Sequence, residues 1–228
     1  MKKLTVVLAV VLLFWTGHAD ALGLSADVAY FSLVESEYQI EEMTSVGGGV
    51  TLLDLGTAEL ALTGRLIGDP TGLGELARVY LKRPAADPLE DAVLVVGDIL
   101  VSLKTELPLT PDIRVAAQAG IGDISYLGGL AGEEPAYNVY RGVRIGAGIR
   151  RKITLTASLF ASMEYGPHMV HVFGTHESSA ASWAAAEAGV QFNVPFGFVK
   201  GGVRMNSLRE SHDSQRFTGV FLSGGIGF

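Results

Sequence analysis

The last thirteen residues of the chain read Arg216-Phe-Thr-Gly-Val-Phe-Leu-Ser-Gly-Gly-Ile-Gly-Phe228. Successive side chains of a β-strand point to opposite faces of the sheet, so this stretch divides into two sets. One set is mainly apolar and consists of Thr218, Val220, Leu222, Gly224, Ile226 and Phe228. The other set is mostly small and consists of Phe217, Gly219, Phe221, Ser223, Gly225 and Gly227. The pattern predicts a strand with one apolar face that ends in an aromatic residue.

The same alternation recurs through most of the chain. In 153–165, alternate side chains from Ile153 to Tyr165 are apolar, and those between them, from Thr154 to Glu164, are mainly polar. Alternation of this kind is typical of half-buried strands, and these segments are long enough to cross a bilayer at a tilt. The predicted strands are 22–33, 46–54, 57–67, 93–107, 112–126, 139–150, 153–166, 181–194, 197–209 and 216–228.

Breaks between these segments come in two kinds that alternate strictly along the chain. The short breaks fall at Asp54 to Gly56, Pro108 to Asp112, Arg150 to Lys152 and Asn193 to Gly197. The long breaks span 34–45, 68–92, 127–139, 166–181 and 209–215. Short periplasmic turns alternating with longer outside loops are typical of membrane barrels. We therefore predict an all-β, up-and-down antiparallel transmembrane β-barrel of ten strands, or of eight if part of the N-terminal region lies outside the wall.

The beginning of the chain has a different pattern. Two lysines precede the apolar run 4–15, and Ala19-Asp20-Ala21 then supplies small residues around a cleavage site. This order of charged, apolar and small residues is typical of a secretory signal peptide. We expect a cleaved signal peptide over residues 1–21, a barrel over 22–228 and a location in the bacterial outer membrane.

The amino-acid composition limits how the protein can be stabilised and which partners it can bind. The chain has no cysteine, so an exported protein of this kind is held by backbone ladders and packing without disulfides. Its formal net charge is −7. Since nucleic-acid phosphates require a basic surface, the charge argues against DNA or RNA as a partner.

The polar faces of the predicted strands carry charges of both signs in near balance. They comprise Asp27, Glu59, Arg65, Asp98, Lys104, Glu106, Arg114, Arg144, Arg150, Glu164, Glu187, Lys200 and Arg204. The lumen of a barrel with eight to ten strands is only wide enough for side chains to fill it. Charges confined there must pair, because an unpaired buried charge costs on the order of several kcal/mol. This predicts a lumen filled by charged pairs, with a narrow water or ion path lined by the same groups as the alternative.

The apolar faces are expected to contact lipid, because hydrocarbon offers no partner to a polar group. Aromatic residues near strand ends fit the girdles that flank the apolar band of membrane barrels. The candidates are Tyr30, Tyr165, Phe192 and Phe228, which fit ordinary apolar wall positions equally well.

The export signal, the alternating strands and the Gly-Gly-Ile-Gly-Phe228 ending together resemble the small bacterial outer-membrane β-barrel proteins. That group includes the OmpA membrane domain, OmpX-like proteins and opacity porins. The resemblance implies contacts with outer-membrane lipid and lipopolysaccharide, insertion by machinery that recognises the C-terminal strand, and a monomeric state. It also implies a structural or loop-mediated binding role, or alternatively a narrow porin-like channel for small solutes or ions.

Outer-membrane barrels include enzymes, and each type uses its own set of catalytic groups. Omptin proteases use aspartates and an Asp–His pair near the outer rim, and here His212-Asp213 lies in the last predicted loop and Asp69 and Asp87 lie in the long loop. No omptin motif surrounds them. Lipid A deacylases use a His–Ser pair, and no His-x-Ser segment lies on a predicted strand. We predict that the protein is not an enzyme and has no catalytic residues and no cofactor.

Histidines offer the one candidate for metal binding. His168, His171 and His176 lie in one predicted outside loop, with Glu177 beside the last of them. Imidazole and carboxylate ligands at such spacing could hold zinc or copper. Surface histidines are common, however, and the prediction is that no metal site is present.

Overall fold

The computed structural model describes residues 23–36, 40–54, 58–69, 92–132, 136–174, 180–210 and 214–227. Within these residues the chain forms ten antiparallel strands that close into a barrel, with β1 paired to β10. No helix in this part of the chain is long and apolar enough to cross a membrane. The strands are β1 (Gly23–Glu35), β2 (Met43–Asp54), β3 (Ala58–Gly68), β4 (Val93–Pro108), β5 (Ile113–Gly129), β6 (Ala136–Lys152), β7 (Ala157–Gly174), β8 (Ala180–Val194), β9 (Gly197–Arg209) and β10 (Ser214–Gly227).

The predicted fold class and the strand number of ten are therefore confirmed. Each strand pairs with its neighbours in sequence, as expected for an up-and-down barrel. The predicted strand 46–54 is a full member of the wall between β1 and β3. The proposed signal peptide and the terminal Phe228 lie outside the described residues, as does the segment 70–91.

Strand ends differ from the predicted ones, mainly at one end of the barrel. We call the end with connections 55–57, 109–112, 153–156 and 195–196 the short-turn end, and the opposite end the long-loop end. Strands β5, β6 and β7 continue further toward the long-loop end than their alternation predicts. There, backbone pairing with a neighbouring strand holds residues whose own pattern is irregular.

Two of the short turns share one local construction. The hydroxyl of Thr110 accepts hydrogen bonds from the backbone N–H groups of Asp112 and Ile113. Thr154 does the same for Thr156 and Ala157 in the turn between β6 and β7. Threonine hydroxyls that bond to the backbone two or three residues further on favour tight turns. The β6–β7 turn thus lies at 153–156, a few residues later than the predicted Arg150 to Lys152, which belongs to β6.

The outward face of the barrel is an apolar belt, as the alternation predicts. Large apolar side chains are exposed all around the wall, including Ile99, Val101, Leu103, Ile121, Val143, Ile145, Met163, Val203, Val220 and Leu222. Three of the predicted wall aromatics, Tyr30, Tyr165 and Phe192, are also exposed. A closed sheet with an apolar outer face satisfies its backbone internally and is suited to hydrocarbon.

The position of this belt in the bilayer can be tested with substitutions on β9. Val203 is 56% exposed at the centre of the strand, where it pairs with Val220 and Ala188. Arginine at the bilayer midplane costs about 2–4 kcal/mol, whereas near the interface the cost falls to about 0–1 kcal/mol. We expect Val203→Arg to show the larger loss and Val199→Arg, close to the short-turn end, the smaller loss. Urea titration in lipid vesicles measures both, and equal losses would contradict this membrane position.

Candidate functional site

The inward-facing side chains form three zones along the barrel axis. A water-accessible cavity opens at the short-turn end, and we call it the vestibule. Above it lies the charge layer, which consists of Asp27, Arg65, Asp98, Arg144, Glu164, Glu187 and Arg204. Toward the long-loop end lies the apolar plug, which includes Phe31, Met43, Ile67, Leu94, Val96, Ile124, Tyr126, Tyr140, Met169, Trp183, Leu208 and Phe217.

Strand register places part of the charge layer in a single row. Asp27 on β1 lies opposite Gly47 on β2, which lies opposite Arg65 on β3, which lies opposite Asp98 on β4. A side chain at Gly47 would begin 2.6 Å from the Asp27 carboxylate. A side chain at Gly122 would likewise begin 2.8 Å from a guanidinium nitrogen of Arg144. These glycines leave the space that the charged side chains occupy.

Arg144 is the centre of the first ion network. Its side chain is 1% exposed and donates hydrogen bonds to the carboxylates of Asp98 and Glu164. The amide of Gln118 donates to the other oxygen of Glu164, at 3.1 Å. Two carboxylates thus share one guanidinium, whose fork of donors suits such pairing.

Arg204 is the centre of the second network. It is also 1% exposed, and it pairs with Asp27 and with Glu187, the latter at 2.8 Å from its Nε. Lys200 donates to the second oxygen of Glu187 at 3.2 Å. Arg65 lies 3.6 Å from both carboxylates. We predicted that these charges pair, and for the charge layer the structure confirms it.

The charges nearest the short-turn end are less enclosed. Glu106 accepts hydrogen bonds from Arg150 at 2.6 Å and from Arg114 at 3.3 Å. Glu59 and Lys104 lie directly opposite each other on β3 and β4. Within the described part of the chain, no ion pair closer than 4.0 Å involves either of them. The lumen therefore contains charges that are not fully paired, contrary to the expectation of complete pairing.

The apolar plug is the feature that reasoning from sequence missed. Ring contacts such as Phe31 with Phe217 fill it, and the Trp183 ring lies 5.8 Å from the Arg144 guanidinium. A signal for it is present in the sequence: at Val93-Leu-Val-Val96 the alternation gives way to a continuous apolar run. Such a run indicates a strand that is apolar on both faces. The predicted filling of the lumen by charges is accordingly wrong for the half of the barrel at the long-loop end.

The vestibule is a cavity of about 660 Å³. Its walls are mainly polar or small, and the charge layer forms its inner end. The lining residues that face inward include Ser25, Thr51, Glu59, Thr63, Lys104, Gln118, Arg150, Ser162, Gln191, Asn193 and Lys200. Sequence alone predicted a filled lumen here too, and the short side chains at Ser162, Ala116 and Gly148 are what leave the space open.

The histidines do not form a metal site in the described residues. His168 and His171 belong to β7 and not to a loop, because that strand continues to Gly174. His168 is exposed, whereas His171 is half-buried with its ring 5.5 Å from Tyr140. Among the described residues no cluster of three metal-ligating side chains occurs. His176 lies outside them.

The loop aspartates considered for protease chemistry are only partly described. Asp69 is buried at the end of β3, and its carboxylate accepts a hydrogen bond from the Leu94 backbone N–H at 3.2 Å. That bond joins the two ends of the longest connection in the barrel. Asp87 and His212-Asp213 lie outside the described residues.

No protein-family model and no curated protein sequence matches the chain. Among solved structures, the outer-membrane protease OmpT of Escherichia coli superposes with a TM-score of 0.52 at 12% identity, covering 93% of this chain and 99% of that chain. This chain has the fold of an outer-membrane β-barrel.

Two further solved structures are matched with lower scores. The N-terminal barrel of Pseudomonas aeruginosa OprF gives a TM-score of 0.40 at 10% identity, covering 90% of this chain and 98% of that chain. Neisserial surface protein A gives 0.41 at 10% identity, with coverage of 90% and 96%. At such low identity the likeness concerns the backbone and carries no chemistry from OmpT to this barrel.

Proposed function

We propose that the protein is an integral, monomeric outer-membrane barrel with a closed lumen and no catalytic activity. Its role in this proposal is structural, or lies in binding partners through the connections at the long-loop end. The apolar belt contacts outer-membrane lipid and lipopolysaccharide, and the C-terminal strand directs insertion after a signal peptide has been removed.

The apolar plug is the observation that carries this proposal. Its largest side chains, among them Trp183, Tyr140, Phe31 and Phe217, are fully buried from solvent. Protein interiors packed in this way leave few voids larger than a water molecule. Below the plug, Arg144 and Arg204 bind two carboxylates each across the lumen. A hydrated ion moving along the axis would have to displace both layers.

The alternative function is that of a narrow porin-like channel. A measurement of ion conductance distinguishes the two. We expect the purified barrel to produce no steady discrete conductance in planar lipid bilayers. Heat-modifiable gel mobility of the same sample must show that the protein is folded, and a known porin in the same lipid serves as positive control. Steady openings whose ion selectivity changes in Glu187→Gln would overturn the closed-lumen proposal.

A further inference from the structure

We infer that the vestibule is a binding site for a small anion that carries a carboxylate or phosphate group and enters from the short-turn end. The site lies between Lys104 on β4 and Lys200 on β9. These strands are five positions apart in either direction around a barrel of ten, so the two lysines stand on opposite walls. Both line the same cavity of about 660 Å³, a size that suits small-molecule sites.

The two ammonium groups have hydrogen-bonding capacity to spare. Lys200 donates to Glu187 at 3.2 Å, and its Nζ lies 5.5 Å and 5.6 Å from the ring centres of Phe160 and Phe221. An ammonium group has three donors, so one salt bridge leaves two for a ligand. Lys104 has no ion pair within 4.0 Å in the described residues. The rings hold Lys200 in place without consuming its donors.

The charge balance around the vestibule favours an anion. The carboxylates at its inner end are already engaged, Glu164 by Arg144, and Asp27 and Glu187 by Arg204 and Arg65. Of the other lining residues, Glu59 adds one negative charge and Lys104 and Lys200 add two positive ones, whereas Arg150 is paired with Glu106. Across the lumen Lys200 repels Lys104, although more weakly than Glu59, opposite Lys104 on β3, attracts it. An anion placed between them would relieve that repulsion.

The site is expected to recognise the charged group of its ligand. Two probes distinguish a phosphate ligand from a carboxylate ligand. Inorganic phosphate represents phosphorylated solutes, and succinate represents organic acids. Isothermal titration of the purified full-length barrel in detergent with each probe separately should show saturable binding of at least one of them. Binding of one probe alone assigns the site to that chemistry, because a carboxylate and a phosphate place their oxygens differently.

Four variants test whether the two lysines form the site. Lys104→Gln and Lys200→Gln should each weaken binding about tenfold or more, as expected for the loss of one charge-assisted hydrogen bond. Lys104→Arg should retain binding. Glu59→Gln, which removes the remaining lining carboxylate, should tighten it severalfold. The last result is one that a purely structural role for these residues would not produce.

Arg151→Gln is the matched control. Arg151 is exposed near the same end of the barrel, on the outward-facing side of β6, and its loss changes the net charge by the same amount. We expect this variant to bind like the unmodified protein. Heat-modifiable mobility confirms that each variant is folded. Absence of binding of both probes to the unmodified protein, or equal weakening in Arg151→Gln and Lys104→Gln, would overturn the proposal.

Discussion

Replacing Arg144 by methionine is expected to lower the free energy of unfolding by about 3–5 kcal/mol, the usual cost of removing one partner from a buried ion pair. The side chain is 1% exposed, and its loss strands the carboxylates of Asp98 and Glu164 in the lumen. Neither carboxylate has a second cation within 4.0 Å in the described residues. The loss therefore reflects two buried carboxylates left without a directly bonded cation more than the removal of one favourable contact.

Urea titration of the folded barrel in lipid vesicles measures this loss. Arg114→Met is the matched control, because Arg114 pairs with Glu106 while 57% exposed. Exposed pairs contribute about 0–1 kcal/mol, so the control should change little. Adding Asp98→Asn and Glu164→Gln to the Arg144 variant should recover part of the stability. A loss in Arg144→Met no larger than in the control would mean that water screens the charge layer, as in an open channel.

Trp183→Ala is expected to cost about 3–5 kcal/mol, the range for truncating a buried aromatic residue. Trp183 is fully buried at the boundary between the apolar plug and the charge layer, where its ring faces Arg144. Removing the indole leaves a cavity that neighbouring strands cannot close, because backbone pairing on both sides fixes the barrel circumference. The lost contacts and the cavity both lower stability.

The measurement for this variant needs a probe other than tryptophan fluorescence. The chain has two tryptophans, and Trp15 lies in the predicted signal peptide, so the mature variant would contain none. Far-UV circular dichroism through the urea transition replaces it. Phe173→Ala, at a side chain on β7 that is 66% exposed, is the control and should change stability little. A comparable effect of the two substitutions would show that the plug is not a packed core.

The architecture could be predicted from the sequence because the patterns that indicate it are local. Period-two alternation and turn chemistry each involve residues close together in the chain, and both are visible without knowing the partners. They predicted ten strands and the apolar belt that includes Val203 and Val220. They also predicted which charges point inward. Strand ends such as those of β7 were less accessible, because pairing with a neighbour extends a strand beyond its own pattern.

The contents of the lumen depended on the tertiary structure. Closure of the barrel and the register between its strands decide which inward-facing residues lie at the same height along the axis. They bring Asp27 and Arg204 together from opposite ends of the chain. They also place Lys104 and Lys200 on opposite walls of one cavity. Alternation assigns a side chain to a face but not to a height along the axis. For that reason the sequence determined the wall of this barrel, whereas only the closed structure decided that its lumen is plugged at one end and open at the other.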